Sequence, residues 1–481
     1  MPEPERATFP PLTPALQSNR LLDLLKLFGP GAIIASVTIG SGETIFASRG
    51  GAIFGYGMLW CFVLGLLMKG VQVYTATRYI TLTGEHPMEH WARFPGPRAW
   101  FPACFGTICV LSFPFFLSGL PVMLGTLMRW IVGTGSPQVW GTLVILIAVT
   151  ATLLQTYTIL EKAQTVIVGL LLVCVMAAAV GAQPSWLAAL QGMFLPTLPQ
   201  YDAWVRTAYP AIAARPPWVE VATYMGVIGG GTQDYLAYVG MMREKGWGML
   251  GRTEQGIATD RVDNPANAGI YTPVPLSDRP ENVRTGLAWL KAPLTDAVIS
   301  FASVLVFALA FMLLGATILH TQRLIPDGFD LLTLQAQFLT QLHPRLLFVY
   351  QLGIFTAFFG TIYGAYELYA RTAYECFRPV FPAFRRLPLP TVRRWVVSYT
   401  GLVGLVLVWT GWEPIWLITF PAILTGVFMC GVWCLAMIWT DRRFLPGPYR
   451  MGIGLLLLNG ISGLAMAAFG VKAIVDYLTG L

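Results

Sequence analysis

The sequence predicts an all-α integral membrane protein of eleven transmembrane helices, and three observations predict it. Hydrophobic residues make up 55% of the chain against 11% charged, with a mean hydropathy of +0.62, outside the range of soluble globular chains. Apolar runs of about twenty residues, the length that crosses a bilayer core, recur along the whole chain. Lys and Arg fall on alternate sides of those runs.

Taken in order, the spans lie near 28–51, 54–80, 101–131, 138–157, 159–181, 218–242, 293–319, 346–374, 395–412, 414–439 and 451–478. Basic residues stand before the first (Arg6, Arg20, Lys26), after the second (Arg93, Arg98), from 243 to 291 after the sixth, from 371 to 394 around the end of the eighth, and after the tenth (Arg442, Arg443, Arg450). The opposite side carries only isolated cations such as Arg129, Arg206 and Arg323. The positive-inside rule therefore predicts a multi-pass protein of the cell membrane with a cytoplasmic N-terminus and an external C-terminus. The net charge of +7 is thereby a topology signal and predicts no nucleic-acid partner. The partner implied is the lipid bilayer, and oligomeric state is not legible.

No cleavable signal peptide is expected, because the first twenty residues are polar and Pro-rich. The cysteines (Cys61, Cys104, Cys109, Cys174, Cys376, Cys430, Cys434) lie in or beside apolar runs without metal-type pairing, as small hydrophobes do. The chain is expected to be one transmembrane domain, with the connection 243–291 as irregular chain over the cytoplasmic side and 184–217 as an external, interfacial segment.

Two polar interruptions carry the function. The first, TIGSGETIF at residues 38–46, puts glycines, a serine and Glu43 inside an apolar run; the second, five spans later, is MGVIGGGTQDY at 225–235. Backbone that leaves the helix at membrane depth exposes N–H and C=O groups, tolerated only against protein or a water-filled cavity. Interrupted helices at matching places in two halves point to an inverted-repeat transporter with a midplane site. The plainer alternative is that the glycines only let helices pack closely.

The run GPGAIIASVTIGSGETIFASRGGAIFGYGMLW (29–60) resembles the first helix and loop of the Nramp (natural resistance-associated macrophage protein-like) metal-ion transporters, and so do LTGEHPMEHWAR (82–93), YTILEKAQTVIVGLL (157–171) and GVIGGGTQDYLAY (226–238). The resemblance implies a LeuT-like fold with broken helices 1 and 6. One repeat would run over about 27–182, a second over about 217–440, and an extra helix over about 451–478. The motif residues depart from the family. Its Asp-Pro-Gly-Asn matches Gly40, Ser41, Gly42 and Glu43, and its Met-Pro-His with a following Asn matches Gly230, Gly231, Thr232 and Gln233.

These replacements shape the expected chemistry. Loss of the thioether shifts the site from soft toward hard, oxygen-coordinated ions. The third span, ACFGTICVLSFPFFLSGLPVMLG, has no acid, and Thr232 stands where the family has a histidine, so Nramp-type proton coupling is not expected. The expectation is a secondary transporter or facilitator of a divalent cation, Mg²⁺- or Mn²⁺-like and partly hydrated, working by alternating access. Glu43 and Gln233 are the tentative ligands, with Gly40, Ser41, Gly42, Val227, Gly230, Thr232 and Asp234 lining the site. Asp234 follows Gln233 by about 100° of helix turn and can face away from Glu43. Glu43 itself has two readings, substrate-facing or a structural, helix-capping acid. Glu367 is the candidate coupling carboxylate, against the simpler expectation of an i, i+4 pair with Arg371.

A second reading takes IGSGETIF as the Gly-Ser-Gly-x-x-Phe break of amino-acid, polyamine and organocation transporters, whose exposed amides receive a carboxylate. The substrate would then be a small amino acid or amine, with Glu43 meeting its ammonium. An enzyme is not expected, nor a cofactor. Glu85, His86, Glu89 and His90 have metal-like spacing but are expected to be a solvated helix start with Pro87 in its first turn, and no Walker-type phosphate loop is present.

Overall fold

The computed structural model describes residues 7–18, 23, 29, 39–40, 42–154, 157–252, 276–327 and 330–479, with backbone alone at 157–165, 252 and 331. The described residues are mostly helical. A π-helical turn, Gly42–Phe46, leads into α1 (Ala47–Phe54), and after a short 3₁₀ turn comes α2 (Leu59–Thr83). Then follow α3 (Trp100–Val132), α4 (Pro137–Leu154), α5 (Tyr157–Gly181), α6 (Pro217–Val227), α7 (Thr232–Met241) and α8 (Lys291–Leu314). The last five are α9 (Leu346–Phe377), α10 (Leu389–Val408), α11 (Pro414–Ile423), α12 (Met429–Phe444) and α13 (Ile453–Thr479).

Among the described residues, eight helices are long and apolar enough to cross a membrane, or nine if the pair Val166–Gly181 and Trp186–Phe194, bent by 114°, is one span. The expected count of eleven differs for physical reasons. The glycine-rich stretch cuts the sixth span into α6 and α7, neither long enough to cross alone. The described half of the first span runs on into the second as one helical stretch, Gly42–Thr83. Most of 28–38 falls outside the described residues.

The apolar surface is arranged for lipid. Ile453, Leu457, Ile461 and Leu464 on α13, and Leu146, Ile147 and Leu154 on α4, point outward, as expected where the bilayer is the solvent. Inside, aromatic and aliphatic side chains from α2, α3, α7, α8, α9 and α12 form one continuous core. The helices that carry the breaks lie within it.

One expectation for the connections changes. Within 243–291, Pro280–Trp289 is helical, capped by its Pro, while 253–275 lies outside the described residues. The segment 184–217 contains the helices Trp186–Phe194 and Ala203–Ala208.

The stretch at 85–91 is corrected outright. Pro87 does open a helix, Pro87–Trp91, but His86 and His90 are buried, not solvated. Nδ1 of His86 accepts from Met88 N–H at 3.2 Å and its Nε2 lies 3.1 Å from the Leu236 carbonyl. His90 lies 3.0 Å from Glu85 and 3.2 Å from the Tyr79 hydroxyl. Contacts with α2, α7 and α12 override the polar composition of this turn.

Candidate functional site at the two helix breaks

The second break is built from backbone conformation. α6 ends at Val227, Ile228 is extended, and Gly229 and Gly230 take φ of +70° and +85°, a left-handed region that side chains disfavour. Asp234, in the first turn of α7, turns back so that its carboxylate accepts from Gly231 N–H at 2.8 Å. Its role at this point is a helix cap. Packing fixes where the break sits: a Cβ on Gly426, just after α11, would lie 2.1 Å from the Gly226 carbonyl, so α6 touches that segment backbone to backbone.

The first break meets the second directly. A Cβ on Gly42 would approach the Val227 carbonyl to 2.7 Å, and one on Gly40 would approach Thr361 Oγ1 of α9 to 2.6 Å. The Gly40 carbonyl accepts from the Thr44 hydroxyl at 2.6 Å. Ser41 lies outside the described residues.

Glu43 joins the two. Its side chain accepts from Gly229 N–H at 2.8 Å and from Gly40 N–H at 3.3 Å, one amide from each break. This satisfies part of the carboxylate and ties the two broken helices together across the gap. Glu43, Gln233 and Asp234 are 0%, 2% and 6% exposed, so the site is closed off from solvent.

Gln233 presents the complementary group. Its carbonyl is held by the Thr372 hydroxyl of α9, and its side-chain Oε1 is buried without a hydrogen-bond partner. An orphan acceptor at membrane depth is costly and calls for a donor or a cation. Thr232 is turned to Cys430 of α12, its hydroxyl 3.5 Å from the sulfur.

Lys69 is the residue that the sequence reading missed. From α2 its ammonium donates to the carbonyls of Gly226, Ile228 and Gly230 at 3.0, 2.7 and 2.7 Å, with 1% exposure. Glu43 and Asp234 are within its electrostatic reach. A lone lysine in the apolar run LLMKGVQVY was the available signal, since an intramembrane charge is costly and so marks a site. Arg49 of α1 and Glu220 of α6, both buried, form a second charged cluster.

Glu367 does not join the site. Its carboxylate pairs with Arg393 of α10 at 3.0 Å, and Arg371 pairs instead with Glu244 at 2.7 Å, so the expected i, i+4 pair is not made. A cleft lined by Arg215, Trp416 and Tyr477 also lies apart from Glu43, Lys69 and Gln233. No group of three or more His, Cys, Asp or Glu side chains among the described residues is placed to hold a metal ion. A cation at the breaks would therefore take its ligands from Glu43, Gln233 Oε1, backbone carbonyls and water.

Comparison with known proteins decides the family. The profile of the Nramp family, described as natural resistance-associated macrophage protein-like, matches residues 31–476, nearly the whole chain. The chain belongs to the Nramp-like family. This Nramp-like chain is 29% identical over 194 residues to the divalent metal cation transporter MntH of Erwinia tasmaniensis, a match covering 39% of the chain and 45% of that protein. The match thus spans less than half of this relative.

Among solved structures, the manganese transporter of Eremococcus coleocola, in complex with an aromatic bis-isothiourea compound, superposes with a TM-score of 0.62 at 12% identity, over 98% of this chain and 90% of that one. MhsT in complex with L-phenylalanine gives 0.53 at 14% identity over 93% and 98%. Mhp1, a nucleobase-cation-symport-1 family transporter with bromovinylhydantoin bound, gives 0.52 at 14% over 93% and 92%. Identities this low speak for the fold alone, and the fold of this Nramp-like protein is LeuT-like. It is a multi-pass membrane protein of a transporter family, not an enzyme.

Proposed function

We propose that this Nramp-like protein moves a hard, oxygen-coordinated divalent cation, Mg²⁺- or Mn²⁺-like, across the cell membrane by alternating access and without Nramp-type proton coupling. The observation that carries the reading is the buried Glu43 carboxylate that takes one amide from each break, with an orphan amide oxygen on Gln233 in the first turn of α7. Similarity to the Erwinia divalent metal cation transporter and to the fold of the Eremococcus manganese transporter supports a divalent cation as the cargo.

Formal charge supports it too. Two carboxylates, Glu43 and Asp234, stand against the one ammonium of Lys69 at low dielectric, a set that favours an added cation. With few side-chain ligands, the ion would keep several waters, as Mg²⁺ does readily. The absence of acids from α3 and the presence of Thr232 in place of the family's histidine support uncoupled transport. In this reading the repeats run over 27–182 and 217–440, and the N-terminus is cytoplasmic and the C-terminus external.

The second reading, a small amino acid or amine, is favoured by one observation. The Lys69 ammonium already occupies carbonyls that would otherwise face a cation. The fold is shared with organic-substrate transporters and does not choose between the two.

Purified protein in liposomes loaded with a divalent-ion indicator and a pH dye tests both. Saturable influx of Mg²⁺, Mn²⁺ or Ca²⁺ that falls at least tenfold in Glu43→Gln, with no proton signal, is the expected result. Influx unchanged in Glu43→Gln removes that residue from the site, and proton flux stoichiometric with the ion overturns the uncoupled mechanism. Absence of influx in folded protein, with uptake of labelled amino acids or amines, establishes the second reading.

A further inference from the structure

Lys69 is placed as a bound ion is placed. Its ammonium lies among three oxygens of one broken helix, and among the described residues no carboxylate hydrogen-bonds to it. Gly226, Ile228 and Gly230 sit where the chain leaves the helix, so their carbonyls lose the N–H partners that a continuous helix supplies. At membrane depth such oxygens must find a donor, water or a cation. Unwound carbonyls of this kind coordinate monovalent coupling ions in discontinuous-helix transporters, and rings of carbonyls replace the hydration shell of K⁺ in channels.

The surroundings are those of a cation pocket as well. Glu43 from the first break, Asp234 from α7 and Cys430 from α12 lie within electrostatic reach of the ammonium. Gln72, one turn further along α2, is buried, with its amide beside the Cys430 sulfur. The contact distances of 2.7 to 3.0 Å suit an ammonium, which is close to K⁺ in size.

We propose that the Lys69 ammonium is a tethered stand-in for a bound monovalent cation. It fills a carbonyl site of the second break, so the protein needs no free Na⁺ or K⁺ to hold that break together. Removing the ammonium leaves a site for K⁺ or ammonium ion. This deepens the transport reading, because it states which coupling ion the cycle does without, but it rests on that reading only for the naming of the site.

The test is therefore unfolding, not flux, so failure of divalent transport leaves it intact. Thermal unfolding of the purified full chain is followed at constant ionic strength in choline, sodium, potassium and ammonium chloride. The wild-type midpoint is expected to be the same in all four. Lys69→Ala is expected to unfold at lower temperature in choline and to regain a few degrees, saturably, in potassium or ammonium, as a ligand bound only by the native state does. Lys69→Ala unfolding alike in every salt overturns the proposal. So does a wild-type protein stabilised saturably by Na⁺ or K⁺ over choline. Should Lys69→Ala not survive extraction, Lys69→Gln, whose uncharged amide NH₂ can still donate to the carbonyls, is read by the same outcomes, and the wild-type measurement stands without either variant.

Discussion

His86 is held in one protonation state by its two neighbours. Nδ1 accepts from Met88 N–H, so Nε2 carries the proton and donates to the Leu236 carbonyl, a pairing that only neutral imidazole makes. Burial pushes its pKa down to about 4, a shift that nearby Arg243 and Arg378 reinforce and Glu375 opposes. With the native pKa below the unfolded one, the unfolded chain binds the extra proton between these values. This contribution is full above about pH 6.5 and is lost as pH falls toward 4, at up to about 1.4 kcal/mol per pH unit. Thermal midpoints measured from pH 7 to pH 4 are expected to fall less steeply in His86→Gln than in wild type; parallel curves would refute the assignment. The same residue marks a limit of sequence reading. Its polar neighbourhood, GEHPMEHWAR, suggests a solvated turn, and tertiary contacts with α7 and α12 make it core. Glu367 shows the same limit, since helical spacing offers it Arg371 while the approach of α10 supplies Arg393. Lys69, by contrast, was legible from its place in an apolar run.

The second break depends on how closely α6 approaches the chain after α11. A Cβ on Gly426 would sit 2.1 Å from the Gly226 carbonyl and 2.7 Å from its carbon, all backbone, which no rotamer change relieves. Forcing these apart displaces Gly226, one of the three carbonyls on Lys69. Gly426→Ala is therefore expected to cost about 3 kcal/mol or more, the upper part of the range for overpacking, and to abolish transport. Gly454→Ala is the control, since its Cβ meets nothing within 4 Å near the start of α13. Equal thermal midpoints for the two variants would remove the close crossing from the account. The breaks themselves were legible, because clustered glycines and a carboxylate inside an apolar run conflict with a continuous buried helix. Their closure was not. That Glu43 takes one amide from each break depends on residues 186 positions apart, a contact no local pattern encodes.

Alternating access requires the ends of the broken helices to part in turn, and the molecule ties both ends with buried polar clusters. At one end Arg49 of α1 pairs with Glu220 of α6 at 3.1 Å and with Asp327 at 2.9 Å, and also donates to the Pro326 carbonyl at 2.7 Å. Tyr224 donates to Glu220 at 2.8 Å, and Gln335 donates to the Thr44 carbonyl at 2.8 Å. At the other end Asp296 of α8 accepts from Gly29 N–H at 2.8 Å and from the Tyr238 hydroxyl of α7 at 2.5 Å. Breaking a buried pair by removing one partner strands a charge, at roughly 3–5 kcal/mol, whereas replacing both partners is often near neutral. Arg49→Met alone is thus expected to lower the thermal midpoint strongly. Arg49→Met combined with Glu220→Gln, which keeps an acceptor for Tyr224, is expected to recover most of that loss, and Asp327 is solvated enough to stand unpaired. If the cluster is one of the two closures of the cycle, the folded double variant should still transport several-fold more slowly, because it no longer holds that end shut while the other opens. Wild-type flux from a stable double variant would reduce the cluster to a packing element and place the closure elsewhere along α1 and α6.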